Sequence, residues 1–379
     1  MVLVDYRKAF DMVDHKLLLR KLELYGIVNR ELAWCHSYLL DRKQVVRVNG
    51  SVSSEALMLH GVPQGSILGP LFFILFINDL PLYTSAQLDL YADDTTVTAF
   101  ADVENLAILN SSLDKSVSEI QLWASANKLP LNEDKTKVLT ITGKRCVAHI
   151  NGSDIDVIVN GNQPSNVDCA TLLGVEIDSK LSFNEHNEKV CKKLASRIAI
   201  LRKIQACLPL KQRLQFYNSI IRPVMSYANV VWANCEESVY RVLRLQKRAA
   251  HVISYTYRTR PSVALFNKLG WIPFYEQHKI EKCIIMYKRI NAYLPNYLNE
   301  HLILNNKRHS RNTRYSSINA VCPKYRKETE GGRSFAVSAT RLWNSIPIEI
   351  RKLDSIACFK KYMFAKIFKQ QQCLHHFII

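Results

Sequence analysis

The feature that most constrains the fold is a pair of adjacent acids between two short β-prone runs. The acids Asp93 and Asp94 end the run YADD, which begins at Tyr91. Alternating apolar and polar residues precede it at 87–90, and a run rich in Thr follows it at 95–100. This pattern predicts strand, tight turn and strand. Two carboxylates at one end of a hairpin are costly to bury unless a cation balances their charge.

Two interpretations of this turn are open. An exposed turn is the more ordinary one, because Asp favours turns. The other is a site for two magnesium ions, since hard divalent ions prefer oxygen ligands. Two such ions about 3.5–4 Å apart can stabilise both the entering and the leaving oxygens of a phosphoryl displacement.

Two further segments favour the metal site. The apolar run from Val2 to Val4 predicts a strand that delivers Asp5 at its end, before a turn and a helix. A Gly- and Pro-rich loop from His60 to Pro70 leads into the apolar stretch Leu71–Ile77. Its glycines let the backbone approach a ligand closely, and Gln64 can offer a neutral amide to a sugar or phosphate. Taken alone, this loop is equally well explained as an ordinary turn before a core helix.

These three segments, in this order, resemble the palm of a reverse transcriptase. The sequences around these segments resemble those of non-LTR retrotransposons of the long-interspersed, jockey-like kind. They are AFDMVDH, HGVPQGSILGPLFFILFINDL and LYADDT. Segments 123–137 and 173–186 are similar to the next two palm motifs, and the resemblance continues through 222–227 and 245–250 to 341–347. It therefore covers nearly the whole chain and is highly specific.

The resemblance implies an RNA-directed DNA polymerase, in which a primer 3′-hydroxyl attacks the α-phosphate of a deoxynucleotide and pyrophosphate leaves. Carried over onto this sequence, the principal metal ligands are Asp5 and Asp93, and Asp94 completes the acidic cluster. The backbone carbonyl of Tyr6 adds a neutral oxygen ligand. Two Mg²⁺ ions are implied, with Mn²⁺ as a substitute, since carboxylate, carbonyl, water and phosphate oxygens suit these ions.

The resemblance also implies contacts to the incoming nucleotide. Phe10 matches the steric-gate position, where a bulky ring would clash with a 2′-hydroxyl and select deoxynucleotides; a core aromatic is the other interpretation. Gln64 and Gly65 lie on the loop that would shape the nucleotide pocket, and Lys135 is a further nucleotide contact. Catalytic roles for two nearby acids are less convincing: Asp14 is better interpreted as the N-cap of a helix from His15, and Asp11 as a turn or surface carboxylate.

The predicted fold class is α+β. A polymerase palm over 1–180, with an antiparallel sheet and packed helices, is followed by a helical thumb or connection over 181–300. A basic linker and a C-terminal helical segment occupy 301–379. In the family, a fingers region and an endonuclease precede the palm, whereas Met1 lies four residues before Asp5. We therefore expect a chain truncated at its N-terminus, with fingers largely missing and little or no polymerase activity.

Charge is divided unevenly along the chain, whose net charge is +18. Residues 1–190 carry 17 Lys and Arg against 24 Asp and Glu, a net charge of −7, and residues 191–379 carry 34 against 9, a net charge of +25. Basic clusters with interleaved tyrosines predict binding of a phosphate backbone with some base stacking; a solvated basic surface is the alternative. The tyrosines are Tyr255, Tyr257, Tyr287, Tyr315 and Tyr325.

The implied partners are an RNA template, a DNA primer or target, and deoxynucleoside triphosphates; nothing implies an obligate protein partner. The longest apolar stretch is too short for a membrane span, and no secretory signal is visible. We expect an intracellular protein, nuclear by family inference, with the cytoplasm as the alternative. A catalytically inactive nucleic-acid-binding remnant is the alternative function. An intron-encoded maturase is disfavoured by the ending Arg341–Pro347.

Overall fold

A computed structural model describes residues 1–143, 155–256, 261–298, 319–325 and 331–376. The chain divides into two compact units, Met1–Leu181 and Ser182–Ile379. The predicted domain boundary at residue 300 and most of the predicted linker lie outside the described residues. So do several residues predicted to contact nucleic acid, namely Tyr257, Lys307, Arg308, Arg311, Arg314, Tyr315, Arg326 and Lys327.

The first unit is a mixed α+β structure, as predicted. Its strands are β1 (Val2–Val4), β2 (Lys43–Gln44), β3 (Arg47–Val48), β4 (Ser51–Val52), β5 (Ala56–Leu57), β6 (Gln87–Tyr91), β7 (Asp94–Thr98), β8 (Lys137–Val138), β9 (Ser165–Asn166), β10 (Cys169–Leu172) and β11 (Val175–Asp178). Five of them form one sheet in the order β6-β7-β1-β8-β9. Its first four strands are antiparallel and confirm the predicted sheet, whereas β9 adds to β8 in parallel at the edge.

Four helices accompany this sheet: α1 (His15–Leu24), α2 (Asn29–Leu39), α3 (Leu68–Ile77) and α4 (Leu106–Ala126). They share one hydrophobic core with the inner face of β1, where Val2 is fully buried. Apolar residues repeat every three or four positions from Leu106 to Trp123, which predicts a buried stripe with Trp123 in the core. The structure confirms this, since the stripe of α4 lies in that core and Trp123 is 1% exposed. The carboxylate of Asp14 accepts a hydrogen bond from the Leu17 amide at 3.0 Å and caps α1 as predicted.

The dipeptide Asn49-Gly50 predicts a tight hairpin turn, and the structure confirms it. Both residues have positive φ, 49° and 86°, and they connect β3 to β4 with Val48 paired to Ser51. Positive φ at both central residues is the requirement of the tightest hairpin turn, which Asn-Gly meets. Further along the same hairpin, Lys43 pairs with Leu57, which is one residue out of the register that pairs Val48 with Ser51. The second strand therefore carries one extra residue. This is a β-bulge that the sequence pattern did not reveal.

The second unit is helical in its described residues. Its helices are α5 (Asn184–Ile204), α6 (Leu210–Phe216), α7 (Arg222–Ser226), α8 (Asn229–Trp232), α9 (Glu236–Ser254), α10 (Ser262–Leu269), α11 (Phe274–Ile290), α12 (Phe335–Asn344), α13 (Ile348–Arg351) and α14 (Ile356–His376). A π-helical turn, Tyr217–Ile221, joins α6 to α7. It precedes Pro223, which has no N–H to continue the regular ladder. No helix in the described part of the chain combines the length and apolar character of a membrane span.

The C-terminal helices correct one prediction from the sequence. Tyr287 was expected to stack on bases, but it is fully buried in α11. Its ring stacks on Phe359 of α14 with 4.7 Å between the ring centroids, and its hydroxyl donates a hydrogen bond to the Leu353 carbonyl. Tyr287 follows Ile280 and Cys283 along the buried face of α11, so helical periodicity places it in the core.

Candidate active site

The pairing of β1 with the β6–β7 hairpin brings three acids to one end of the sheet. Val4 pairs with Thr95, so the same register continued by one residue sets Asp5 opposite Asp94. Tyr91 pairs with Asp94 across the hairpin, which leaves Ala92 and Asp93 as a two-residue turn. Ala92 takes the left-handed φ of 53° that such a turn needs. Asp5 and the hairpin acids, distant along the chain, are therefore neighbours in the fold.

The acids lie on the side of the sheet that faces water. Side chains alternate between the two faces of a strand, and Val4 and Val97 face the core. Asp94 and its partner Tyr91 therefore occupy the opposite face, where Tyr91 is 67% exposed. Asp93 and Asp94 are exposed and Asp5 is half-buried. A large charged ligand can reach all three carboxylates from this side.

The three carboxylates influence one another electrostatically. Partial burial raises the pKa of the Asp94 carboxyl, and the negative charges of Asp93 and Asp5 raise the pKa further. The cluster thus holds more negative charge than its surroundings balance. A bound cation would relieve this repulsion.

The donor set fits magnesium only in part. Within the described ranges, no group of three or more His, Cys, Asp and Glu is arranged to hold a metal ion. In sites that handle phosphates, however, Mg²⁺ is usually held by one or two carboxylates together with waters and substrate phosphates. The acids and the carbonyl of Tyr6 match that kind of incomplete site. The bridge between Tyr6 and Leu131 is made by the flanking Asp5 carbonyl and Arg7 amide, and does not use the Tyr6 carbonyl.

A buried hydroxyl holds the backbone of Asp5 in place. The Asp5 amide donates to Thr136 Oγ1 at 3.3 Å, and that hydroxyl donates to the Asn132 carbonyl at 2.8 Å. The Asn132 amide in turn donates to the Asp5 carbonyl at 2.8 Å, which closes a ring of three hydrogen bonds. Thr136 is fully buried. The sequence pattern of Lys135-Thr136-Lys137 does not predict this role for the threonine. Its small hydroxyl between two lysines is the available signal.

Lys135 lies next to Thr136 and its ring of hydrogen bonds. Its side chain is exposed, and its amide donates to the Asn132 carbonyl at 3.3 Å. The turn that braces Asp5 therefore also presents a cation to solvent.

Phe10 follows β1 in a short 3-10 turn, Ala9–Asp11. Its ring is half-buried and stacks on Phe73 of α3 with 4.4 Å between the ring centroids. The structure thus gives the ring support from the core and leaves part of it accessible. Tyr6 is more deeply buried, and burial raises the pKa of its hydroxyl to about 12, so it stays neutral.

The Gly-rich loop is tied to the same segment. The Gly61 amide donates to the Val13 carbonyl and the Val62 amide to the Phe10 carbonyl, at 2.8 and 2.9 Å. Gly61 has a φ of 86°, and a Cβ there would lie 2.8 Å from the Asp11 carbonyl oxygen, so only glycine fits. The loop therefore packs its backbone directly against the residues around Phe10.

This packing positions the two predicted loop residues. Gln64 donates through its amide to the Asp11 carboxylate at 2.9 Å. Asp11 is exposed in its turn, as the sequence suggested, and here orients Gln64. Gly65 follows with a φ of 76° and nothing within 4 Å of a Cβ position, so its backbone faces open space. The structure thus brings Gln64 and Gly65 to the side of the unit that holds Phe10.

An α+β unit with carboxylates at the end of a central strand and in the adjoining hairpin resembles the palm of a nucleic-acid polymerase. Comparison with known families agrees: residues 1–177 match the family described as reverse transcriptase (RNA-dependent DNA polymerase). This match covers nearly all of the first unit and slightly less than half of the chain.

Relatives from fruit flies carry the same assignment. The chain is 27% identical over 266 residues to a probable RNA-directed DNA polymerase from transposon X-element of Drosophila melanogaster, covering 66% of this chain and 28% of that protein. It is 29% identical over 276 residues to the corresponding protein from transposon BS, covering 67% and 28%. It is 27% identical over 259 residues to the RNA-directed DNA polymerase from mobile element jockey, covering 64% and 27%. The chain thus spans little more than a quarter of the length of these relatives.

Proposed function

We propose that this protein is an RNA-directed DNA polymerase of a retrotransposon, which adds deoxynucleotides to a primer 3′-hydroxyl by two-metal nucleotidyl transfer. One observation carries the proposal. The strand register that sets Asp5 opposite Asp94 also joins both to Asp93 within the 177 residues that match the reverse transcriptase family. Paired carboxylates on an accessible sheet face are what phosphoryl transfer with divalent ions requires.

The acids and the Tyr6 carbonyl would hold two Mg²⁺ ions, for which Mn²⁺ is a substitute. When bound, the ions lower the pKa of the primer hydroxyl and stabilise the charge on the leaving pyrophosphate. Thr136 keeps the Asp5 backbone in place, so that its carboxylate is held before the substrate arrives. Pre-positioned charges of this kind act without reorganisation during the reaction.

The remaining residues select and orient the nucleotide. The Phe10 ring, supported by Phe73, excludes a 2′-hydroxyl and offers it no hydrogen bond. Gln64 and Gly65 present an amide and an open backbone to the sugar and template. Lys135 supplies a positive charge for the triphosphate. The partners in this proposal are an RNA template, a DNA primer or target and deoxynucleoside triphosphates, and the site of action is the nucleus.

Primer extension tests the proposal. Purified protein is given an RNA template, a DNA primer, deoxynucleotides and Mg²⁺, and Asp93→Asn is compared with the parent chain. The proposal predicts that the parent extends the primer, in contrast to the low activity expected from the truncated sequence, and that Asp93→Asn abolishes extension. Asp89→Asn is the matched control, because Asp89 is exposed on β6 of the same hairpin but lies outside the cluster. Extension that survives in Asp93→Asn contradicts the proposal.

Two observations favour the second candidate, a nucleic-acid-binding protein without catalysis. The described residues do not hold a ready-made three-ligand metal group, and residues 191–379 carry a net charge of +25. Such a protein would bind RNA in a salt-dependent way and extend no primer. Measuring RNA binding beside primer extension separates the two functions, since only the polymerase gives both.

A further inference from the structure

The second unit contains a basic groove that is unrelated to the carboxylates. It lies between α5 and α9 and has a volume of about 760 Å³. Among the described residues that line it, five side chains carry a positive charge and none is acidic. They are Arg202 of α5 and Arg241, Arg244, Lys247 and Arg248 of α9. We propose that this groove, the α5–α9 groove, binds one unpaired nucleic-acid strand by its phosphates and stacks a base on Tyr255.

Helix α9 is built to present this charge along one side. Val242, Ala249 and Ile253 are buried in the core of the unit, so the opposite face is left for the basic residues. Arg241 and Arg248 are seven residues apart, which corresponds to about 10 Å along a helix. The groove therefore offers positive charge along a line, as an extended phosphate chain requires, and not at a single point. Glu237 pairs with Arg241 at the outer end and balances part of its charge.

One end of the groove supplies an exposed aromatic ring. Tyr255 lines the groove and is 63% exposed. The guanidinium carbon of Arg213 lies 5.8 Å from the centroid of its ring, but Arg213 is not among the residues that line the groove. The exposed ring of Tyr255 is therefore the group that can stack on a base.

The size of the groove favours a single strand over a duplex. Its volume falls in the range of about 300–1,000 Å³ found for sites that enclose one small molecule. A nucleotide or two of an extended strand can enter such a space, whereas a base-paired helix offers only its convex backbone. Stacking on Tyr255 also requires an unpaired base with a free face. RNA and DNA share the phosphates and base faces that this groove would contact.

Fluorescence anisotropy with labelled single-stranded RNA and DNA oligonucleotides tests the proposal over a series of salt concentrations. The double variant Arg244→Gln/Lys247→Gln is expected to weaken binding and to reduce the slope of log affinity against log salt by about 1.4, since each phosphate contact on a single strand contributes about 0.7. The matched control is Lys192→Gln/Lys193→Gln, which removes the same charge from exposed positions of α5 outside the groove. The control is expected to leave the slope unchanged.

A second pair of variants tests the stacking contact. Tyr255 ends α9 in the left-handed region with a φ of 53°, a conformation that Asn adopts readily. Tyr255→Asn should therefore keep the fold and weaken single-strand binding about tenfold, whereas Tyr255→Phe keeps the ring and the affinity. Thermal melts of each variant confirm that the chain remains folded.

Three results would overturn the proposal. The first is an equal loss of affinity in the groove and control double variants. The second is a duplex that binds as tightly as a single strand. The third is an acidic peptide that competes as well as the oligonucleotide. The last result would assign the groove to an acidic protein segment instead. Asp93→Asn is expected to bind the oligonucleotide like the parent chain, so failure of the groove proposal is distinguishable from failure of the polymerase proposal.

Discussion

Single residues decide the geometry around the carboxylates, and the least conspicuous of them is Thr136. Its hydroxyl links the Asp5 amide to the Asn132 carbonyl in the ring of hydrogen bonds described above. The main effect of a buried polar group of this kind is to fix the position of its partners, because the net contribution of its hydrogen bonds to stability is small. Catalytic loss from displacement can be large even when the fold survives.

Thr136→Val is expected to lower the rate of primer extension about tenfold or more, because Val keeps the shape but cannot hold the Asp5 backbone. It should also lower the free energy of unfolding by about 1–3 kcal/mol, since it leaves the Asp5 amide without its acceptor, whereas the Asn132 carbonyl still accepts from the Thr136 amide at 2.9 Å. Extension rates and urea denaturation measure the two effects. Thr136→Ser, which retains the hydroxyl, is the control, and equal rates in the two variants would exclude the positioning role.

A second prediction at this scale concerns Gly61, whose Cβ position lies 2.8 Å from the Asp11 carbonyl oxygen. Gly61→Ala combines a left-handed backbone with a clash against backbone atoms. Gly26→Ala is a matched control, because Gly26 has a similar φ of 89° and nothing within 4 Å. We expect the control to cost about 1–2 kcal/mol of stability and Gly61→Ala about 1–3 kcal/mol more. Equal costs in urea denaturation would show that the loop does not pack against Asp11.

Two helices each carry a buried lysine, and the two lysines differ in whether an acid balances the charge. Lys282 of α11 is 4% exposed and donates to the Ser338 hydroxyl of α12 at 2.8 Å, with no acid as partner. Burial lowers its pKa from 10.5 to about 8. Between pH 8 and 10.5 the unfolded chain therefore binds more protons than the folded chain, and stability rises with pH across that window.

Lys282→Met is accordingly expected to stabilise the protein at pH 7 by about 1–2 kcal/mol, the removed charge penalty less the lost hydrogen bond. The gain should shrink as pH rises from 8 towards 10.5, where the parent chain loses the penalty by itself. Lys279→Met on the same helix is the control, since Lys279 is exposed and pairs with Glu276 at the surface. Urea denaturation across this pH range measures both, and a gain that is independent of pH would contradict the assignment.

Lys21 of α1 differs from Lys282 because its charge has partners, although burial lowers its pKa as well. Its ammonium group lies 2.7 Å from both the Asp79 carboxylate and the Phe76 carbonyl of α3, and faces the Trp123 ring. Lys21→Met leaves Asp79 with only the Trp123 indole as a donor. We expect a loss of about 2–4 kcal/mol in urea denaturation at pH 7. A stabilising effect like that of Lys282→Met would mean that the ion pair is not formed in solution.

At the scale of the whole molecule, charge and chemistry are divided between the two units. The first holds the carboxylates, and the second carries the basic groove and most of the positive charge. Each has its own hydrophobic core. Metal-dependent chemistry and polyanion binding should therefore respond to different reagents.

Chelation tests this division. EDTA is expected to stop primer extension while leaving single-strand binding and the thermal melting temperature unchanged, because the acids proposed to hold Mg²⁺ lie on the solvent side of the sheet, whereas each unit is held together by an apolar core. Raised salt should have the reverse effect and weaken binding first. Unfolding of the chain by EDTA alone would show that a metal is structural.

Much of the local structure could be predicted from the sequence. The Asn49-Gly50 turn, the Asp14 cap and the buried stripe around Trp123 follow from turn chemistry, capping and periodicity, which involve residues close together in the chain. Tyr287 was misjudged because an aromatic in a basic region was weighed above its position on the apolar face of α11. The bulge, the π-helical turn and the role of Thr136 depend on packing partners that local pattern does not specify.

By itself the sequence determined the hairpin with its paired acids, the strand that ends at Asp5 and the motifs that resemble a reverse transcriptase, because each is a property of a short run of residues. Only the tertiary structure decided that Asp5 lies opposite Asp94, that Gly61 packs against Asp11 and that Arg213 meets Tyr255 at the end of a basic groove. Such contacts join residues far apart in the chain. They form only when strands and helices bury a common core, and that burial is a property of the whole fold.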